Sequence, residues 1–451
     1  MPFTVPARPS VAMRVWLAAV VVYIIAIAGR TSFGVVGVIA SDRFSISAGA
    51  LATLVVVHLG VYALAQVPVG LALDRFGPRV MLGGGALLLA AGQLAVAVAP
   101  SYGWAVAARV LVGAGDATAF VSVIRLIPAW FPARRIPLMT QLTAILGQAG
   151  PIISAVPFLA TVRGFGWSAG FISLAAAGVL VALLAFLAIR DAPGGGAAAA
   201  PPRDRVATIM SSVTAHPGAW LGFFTHFTLL FSPNVFLILW GMPLLTVGQG
   251  YSAATAAALI SLNSLAGVIA GPAVAAMLVR HPWQRALLVL FIIGVLAAAW
   301  AAVLVPGGQR PLWLWALLVI VLAFGGAGSS IGFDIARTSL PPHHYGTASG
   351  LVNMGGFISS IAVVWGIGLV LDYLAPDKNY TNDDFRLALA VMVPIALIGV
   401  AGIVISRALM RRRLATEGVY PMSVPQIVRH VTRGGRLPRR RGRGGEAPQG
   451  D

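Results

Sequence analysis

The dominant pattern along the chain is the recurrence of long apolar runs, each of about 20 residues or more, joined by short polar connections. A helix of that length rises far enough to cross the ~30 Å hydrocarbon core of a bilayer. No sustained apolar–polar alternation is present, which argues against a membrane β-barrel. The runs predict helix 1 over 13–40, helix 2 over 49–73, helix 3 over 80–99, helix 4 over 102–127, helix 5 over 136–162 and helix 6 over 168–189. After a break come helix 7 over 218–245, helix 8 over 253–279, helix 9 over 286–305, helix 10 over 312–337, helix 11 over 346–371 and helix 12 over 385–410. Arg8 and Arg14 precede the first run as they would in a signal peptide. The run is too long for a cleaved apolar segment, and further spans follow, so it is read as a helix of the protein.

The expected fold is therefore an all-α polytopic membrane protein with twelve transmembrane helices in two six-helix, pseudo-repeated halves. The divisions are an N-terminal stretch 1–12, a first half 13–189, a linker 190–217, a second half 218–410 and a tail 411–451. Gly194-Gly195-Gly196 and Pro201-Pro202 make the break read as a flexible linker, and the arginine-rich tail reads as disordered. The repeat is visible in landmarks. The same offset separates Gly113-Ala114-Gly115 from Gly326-Ala327-Gly328 and Pro128 from Pro341.

Composition agrees with the pattern. Hydrophobic residues make up 58% of the 451 and charged residues 10%, whereas a soluble domain carries about 25% charged residues. There is no cysteine, and Lys378 is the sole lysine, so neither thiol chemistry nor a phosphate-binding G-x-x-x-x-G-K-[ST] loop is available. The +18 net charge is distributed as a topology signal rather than a nucleic-acid footprint. Arg75, Arg79, Arg134, Arg135, Arg203, Arg205, Arg280, Arg285 and the tail from Arg407 lie on one side. Only Arg43, Arg163, Arg310, Lys378 and Arg386 lie on the other. The positive-inside bias then places both termini in the cytoplasm of a cell (plasma or inner) membrane. The tail can meet anionic lipid headgroups. No aromatic residues interleave its arginines from Arg429 to Arg443, so no nucleic-acid partner is expected.

The connection between helices 2 and 3 reads Gly70-x-x-x-Asp74-Arg75-x-Gly77-x-Arg79, and helix 4 carries Arg109-x-x-x-Gly113-x-Gly115. With the six-plus-six layout, these motifs resemble the major facilitator superfamily, and the resemblance covers all twelve helices. The helix 5 motif of proton antiporters is met only in part: Gly150-Pro151 is present, Gly147 stands one position late, and Ser154-Ala155 replaces the closing glycine pair. More loosely, Tyr23, Arg30 and Phe33-Gly34, with Trp130-Phe131-Pro132, resemble bacterial members that take up organic anions and sugar phosphates. The resemblance implies that helices 1, 4, 7 and 10 line a central cavity. It also implies that the Gly70–Arg79 connection acts as a gate, with Asp74 capping the N-terminus of helix 11.

Few ionisable groups fall inside the spans. A charge at a helix centre costs on the order of 2.5–3.5 kcal/mol, so each is expected to face the bundle interior with a partner. Arg30 on helix 1 and Asp116 on helix 4 are expected to approach each other. The pair is either a switch, in which a proton on Asp116 releases Arg30 to hold an anion, or a permanent ion pair. Arg109 is two turns from Asp116 on the same face, too far to pair with it directly, and either tunes the carboxylate or bridges helices. His58 and Tyr62, one turn apart on helix 2, and His226 on helix 7 are candidate substrate or relay groups, or plain hydrogen-bonding residues. Gln141, Gln148, Asn234, Asn263 and Asn353 are candidate substrate contacts or interhelical links. Pro233 before Asn234 makes helix 7 a candidate broken helix. Asp334 and Arg337, three apart, read as a gate or surface pair. Gly70, Asp74, Arg75, Gly77 and Arg79 complete the gate, with Arg75 and Arg79 expected on the Asp74 carboxylate or on lipid headgroups. The corresponding connection of the second half, 280–285, keeps arginines without a carboxylate, so the latch is expected on one half only.

His343-His344 lack nearby carboxylates in sequence, so no metal site is expected, and no cofactor or catalytic cluster is visible. The expected protein is a monomeric, proton-coupled secondary transporter, not an enzyme, that moves a small organic solute by alternating access. The favoured substrate is an anion, on the strength of Arg30. The alternatives are a proton-driven multidrug efflux antiporter and a non-transporting membrane sensor.

Overall fold

The computed structural model describes residues 9–46, 48–193, 206–280, 285–375 and 380–416. Residues 194–205, Lys378 and the arginine-rich tail beyond 416 lie outside these. Among the described residues there are helices and no strands. Eleven of the helices are long and apolar enough to cross a membrane. One of these, Thr53–Ala97, is 45 residues long and contains two crossings, because Gly77 breaks the helical path with φ 78°. Glycine is the residue that takes this left-handed conformation without strain. Pro78 then stands at the first position of the next helix, where its missing N–H costs nothing. The result is twelve crossings in two halves.

Helix 1 is Pro9–Val35, followed by a separate short helix, Gly37–Phe44, where the sequence pattern predicts one run to residue 40. Helices 2 and 3 lie on either side of Gly77 within Ala48–Ala97. Helix 4 is Tyr102–Trp130, helix 5 Ala133–Phe165, helix 6 Trp167–Ala188, helix 7 Pro217–Gly248 and helix 8 Ala253–Arg280. Helix 9 is Arg285–Leu304, helix 10 Leu312–Ser339, helix 11 Pro342–Leu374 and helix 12 Asn382–Thr416.

Two expectations about irregular segments change. Helix 7 is not broken after Pro233; it widens into π-turns at Val235–Trp240 and Leu244–Gly248. A wider turn absorbs the hydrogen bond that proline removes without ending the helix. The linker is not wholly irregular, since Val206–Thr214 is a helix. Val213 is 1% exposed in the core and Ile209 packs beside it. The Ser212 hydroxyl meets His344 Nδ1 at 3.1 Å, and Trp220 Nε1 donates to the Thr214 carbonyl at 2.7 Å. Burial of one apolar stripe orders a segment whose composition alone predicts a loop.

The apolar core divides unevenly. On the side bearing the linker, one cluster joins both halves, running from Trp16 and Ile127 of the first to Phe223, Phe333 and Leu351 of the second. The far part of the first half, around Phe33, Leu54 and Phe171, forms its own cluster, and the rest of the second half forms another. The halves are thus packed together on the linker side.

Candidate functional site

Asp116 is fully buried on helix 4. Such a charge persists only with strong partners. Arg30 of helix 1 supplies them side-on: Nε donates to Oδ2 at 2.7 Å and Nη2 to Oδ1 at 3.1 Å. The expected approach of these two residues is therefore realised as a bidentate pair, the strong geometry for guanidinium and carboxylate. His58 of helix 2 adds a third contact, its Nε2 lying 2.9 Å from Oδ2. Its Nδ1 has no hydrogen-bond partner among the described residues. Asp116 is thus a junction of helices 1, 2 and 4.

Arg30 differs from its partner in exposure. Its side chain is 20% exposed, against 0% for Asp116. The guanidinium lies over the Tyr62 ring at 4.5 Å and 5.8 Å from the centroid of Phe357 on helix 11. The two rings are 4.5 Å apart. Aromatic faces carry negative potential, so they hold the cation while leaving N–H groups for an anion.

Arg109 bridges helices 1, 2 and 4. It is fully buried and donates to the backbone carbonyls of Leu54, Gly29 and Arg30 at 3.3–3.4 Å. It also lies over the Phe33 ring at 4.9 Å. It makes no ion pair with Asp116, as their two-turn separation requires.

A second polar cluster joins the halves beside the first. Asn353 of helix 11 donates through Nδ2 to the Tyr62 hydroxyl at 3.0 Å and to Gln66 Oε1 at 2.9 Å. Gln141 of helix 5 donates to the Ala327 carbonyl at 2.8 Å and to the Ser330 hydroxyl at 2.6 Å, both on helix 10. His226 is buried on helix 7 with Nδ1 donating to the Ser329 carbonyl at 3.1 Å, and its ring packs edge-on to Phe333. The remaining amides are dispersed. Asn234 donates to Ser360 within the second half, Asn263 donates to the Val319 carbonyl, and Gln148 is exposed at the junction between two stretches of helix 5.

The Gly70–Arg79 connection is assembled as a cap. Asp74 accepts from the backbone N–H groups of Gly346 and Thr347, both at 2.7 Å, and from the Thr347 hydroxyl at 2.6 Å. These are the unsatisfied amides at the start of helix 11, where the helix dipole favours a carboxylate. Gly70 permits the approach: a side-chain carbon there would sit 2.7 Å from the Gly346 carbonyl oxygen. Neither Arg75 nor Arg79 meets the Asp74 carboxylate, one of the two partners expected for them. Arg75 is exposed and lies over its neighbour Phe76. Arg79 turns to helix 6, donating to the Phe186 carbonyl at 2.5 Å, while its backbone N–H meets Asp191 at 2.7 Å. The arginine near Asp74 is Arg125 of helix 4, at 3.8 Å. Helix geometry carries Arg75 past the carboxylate, because successive residues point about 100° apart.

Asp334 pairs with Arg337 at 2.5 Å as expected, and also with Arg285 at 2.9 Å. The second half therefore does bring a carboxylate to its 280–285 connection, supplied from helix 10 rather than from the connection itself. Gln66, Arg125, Asp191, Ser330 and Phe357 were not evident as site or gate residues in sequence. Gln66 did carry a signal: it continues the four-residue spacing of His58 and Tyr62 along one helical face.

Comparison with known proteins gives this arrangement a family. The model of the Major Facilitator Superfamily matches residues 19–364. A probable nitrate/nitrite transporter of Mycobacterium tuberculosis, NarK2, is 26% identical over 359 residues, covering 78% of this chain and 86% of that protein. A probable L-galactonate transporter of Escherichia coli is 25% identical over 179 residues, 40% of this chain and 39% of that one. Among solved structures, the proton:xylose symporter XylE superposes with a TM-score of 0.63 at 15% identity, covering 87% of this chain and 96% of that one. A bacterial homolog of the human lysosomal transporter Spinster, inward-facing and unoccupied, gives 0.57 at 17% identity, covering 88% and 97%. At such identities the structural likeness establishes the fold, and the family match establishes the rest: the chain belongs to the Major Facilitator Superfamily and is a multi-pass membrane secondary transporter.

Proposed function

We propose that this transporter moves a small anion, coupled to protons, with Arg30 as the anion-holding group and Asp116 as the proton-carrying one. The carrying observation is the asymmetry of their pair: a buried carboxylate grips one edge of a guanidinium whose side chain is still 20% exposed. Neutralising Asp116 with a proton removes the ionic hold on Arg30 and leaves a cation requiring a new counter-charge. A substrate anion supplies it. Proton and anion then enter together, and the cycle is symport. The relatives named for nitrate/nitrite and for L-galactonate support an anionic substrate.

In this reading the linker side is cytoplasmic and the protein lies in the cell membrane, on the arginine bias of its connections. The Asp74 cap on helix 11 and the Asp334–Arg285–Arg337 cluster act as gate elements on that side. The central polar groups Tyr62, His58, His226 and Asn353 surround the transport route, which alternates in access as the halves rock.

The test is flux in proteoliposomes. An inward proton gradient is expected to drive accumulation of a labelled anion from a panel of nitrate, nitrite and sugar acids. Arg30→Ala is expected to abolish it with the protein still folded by thermal unfolding. Gradient-driven export of a cationic dye, with no anion movement, would overturn the reading in favour of efflux.

A further inference from the structure

One apolar cavity lies away from the Arg30–Asp116 site. It is a groove of about 380 Å³ on the second half, formed by helices 7, 9 and 12. Its floor is Phe231, Leu296, Trp300 and Leu389, all at most 7% exposed, and its outer edges are Val305 and Val393, 73% and 57% exposed. Trp300 does not present its polar edge to the groove, since Nε1 donates to the Ser232 hydroxyl at 2.6 Å. The lining is therefore almost wholly apolar, and its exposed edges lie on helix 12 and just after the end of helix 9.

Two further observations identify an occupant. The first is length. Along helix 12 the groove runs from Arg386 to Ala396. At ~1.5 Å per residue that is roughly 15 Å, half of the ~30 Å hydrocarbon core. The groove begins at the end of helix 12 away from the linker side, so it spans one leaflet and stops near the bilayer middle. Its volume accommodates roughly a dozen groups of water size at ~30 Å³ each, the content of much of one acyl chain.

The second is charge at the mouth. Arg386 donates through Nε to the Leu304 carbonyl at 2.7 Å, through Nη2 to the Val305 carbonyl at 2.9 Å, and through Nη1 to Asp383 at 2.5 Å. A guanidinium has five N–H groups, so one on each terminal nitrogen remains for a further acceptor. Asp383 beside it is 72% exposed on its side chain. The mouth thus presents a cation and an anion side by side at headgroup level.

We propose that this groove is a binding site for one phosphatidylethanolamine molecule of the leaflet opposite the linker side. One acyl chain lies between helices 9 and 12, the phosphate accepts from Arg386, and the ammonium donates to Asp383. An acidic lipid satisfies only the arginine and meets the aspartate as a like charge. The zwitterion matches both.

Native mass spectrometry of the full chain, extracted from bilayers of mixed phosphatidylethanolamine and phosphatidylglycerol, tests this. One phosphatidylethanolamine is expected to stay bound after detergent exchange. Ala297→Phe, which fills the groove, and Arg386→Gln are each expected to lower its retention about tenfold, the effect of losing one charge-assisted contact or its equivalent. Equal retention in the wild type and both variants would overturn the proposal, as would preferential retention of phosphatidylglycerol. A second measurement needs no variant. Added phosphatidylethanolamine is expected to raise the midpoint of thermal unfolding of the wild-type protein in detergent above the effect of equimolar phosphatidylglycerol. Equal shifts would show a general lipid effect and exclude the site.

Discussion

Arg30 and Asp116 carry the proposed chemistry at the scale of single residues, and two substitutions separate the roles proposed for them. Asp116→Asn keeps a hydrogen-bonding side chain of the same size but holds no transferable proton. Exchange of internal for external substrate is expected to persist, while gradient-driven accumulation falls to the level of equilibration. Counterflow and net uptake measured on the same vesicles check this, and full accumulation by the variant would remove Asp116 from coupling. Arg30→Lys keeps the charge but loses the planar fork that grips Oδ1 and Oδ2 together. The apparent substrate affinity is expected to weaken about tenfold, as one charge-assisted hydrogen bond is lost. A KM titration checks it, and an unchanged KM would mean that the substrate does not meet the guanidinium. This pair was legible in the sequence because a charge in an apolar run must find a partner, and few candidates were available. His58 was visible as a residue but not as the third partner of Asp116. Its ring direction depends on how helix 2 is rotated against helix 4, which a nearly uniformly apolar helix does not encode. Gln66 shows the converse: its spacing from His58 and Tyr62 was in plain sight, but only the approach of helix 11 gives that stripe a purpose.

Helix ends carry the proposed gate at the scale of elements. Asp74 belongs to the turn after helix 2, yet its hydrogen bonds go to the first amides of helix 11 in the other half. An aspartate turned to asparagine can still accept one of these bonds, but it loses the charge that complements the helix dipole, an effect of about 0.3–2 kcal/mol. Asp74→Asn is therefore expected to cut turnover several-fold while leaving substrate affinity nearly unchanged, because no bond to Arg30 or Tyr62 is touched. Initial rates over a range of substrate concentration check the split; a raised KM at constant turnover would contradict it. Gly70→Val is expected to be more severe, since its side chain would meet the Gly346 backbone, which cannot swing aside as a flexible side chain could. The cap itself could be inferred from the motif. The neighbours that hold the turn could not. Arg125 and Asp191 come from helix 4 and from the start of the linker after helix 6, distant in sequence and without any local pattern pointing to the turn. The helix at Val206–Thr214 was hidden for a related reason: glycines and prolines just before it dominate the composition, and its order comes from burying Val213.

The two halves meet, at the scale of the whole molecule, through polar bonds that lie within otherwise apolar contact on the linker side. Asn353 ties helix 11 to helix 2, and Gln141 ties helix 5 to helix 10. Opening that side to water must break both, so each contributes to the balance between the closed and open arrangements. A net contribution of about 0.5–1.5 kcal/mol per hydrogen bond makes removal of either side chain worth a several-fold to roughly tenfold shift in population. The absence of native cysteine makes this measurable with one introduced thiol. Ala336 on helix 10 is 0% exposed within the shared core, so Ala336→Cys is expected to react slowly with a water-soluble maleimide. Adding Asn353→Ala or Gln141→Ala is expected to raise that labelling rate several-fold, in line with the population of the open arrangement. The two bridges occupy different helix pairs and share no atoms, so their effects in the combined variant are expected to add in free energy. An accelerated rate in one variant alone would place the balance at that bridge. A combined effect well short of the sum would mean that the first break already opens the whole side, and that helices 2, 5, 10 and 11 move as one cooperative unit.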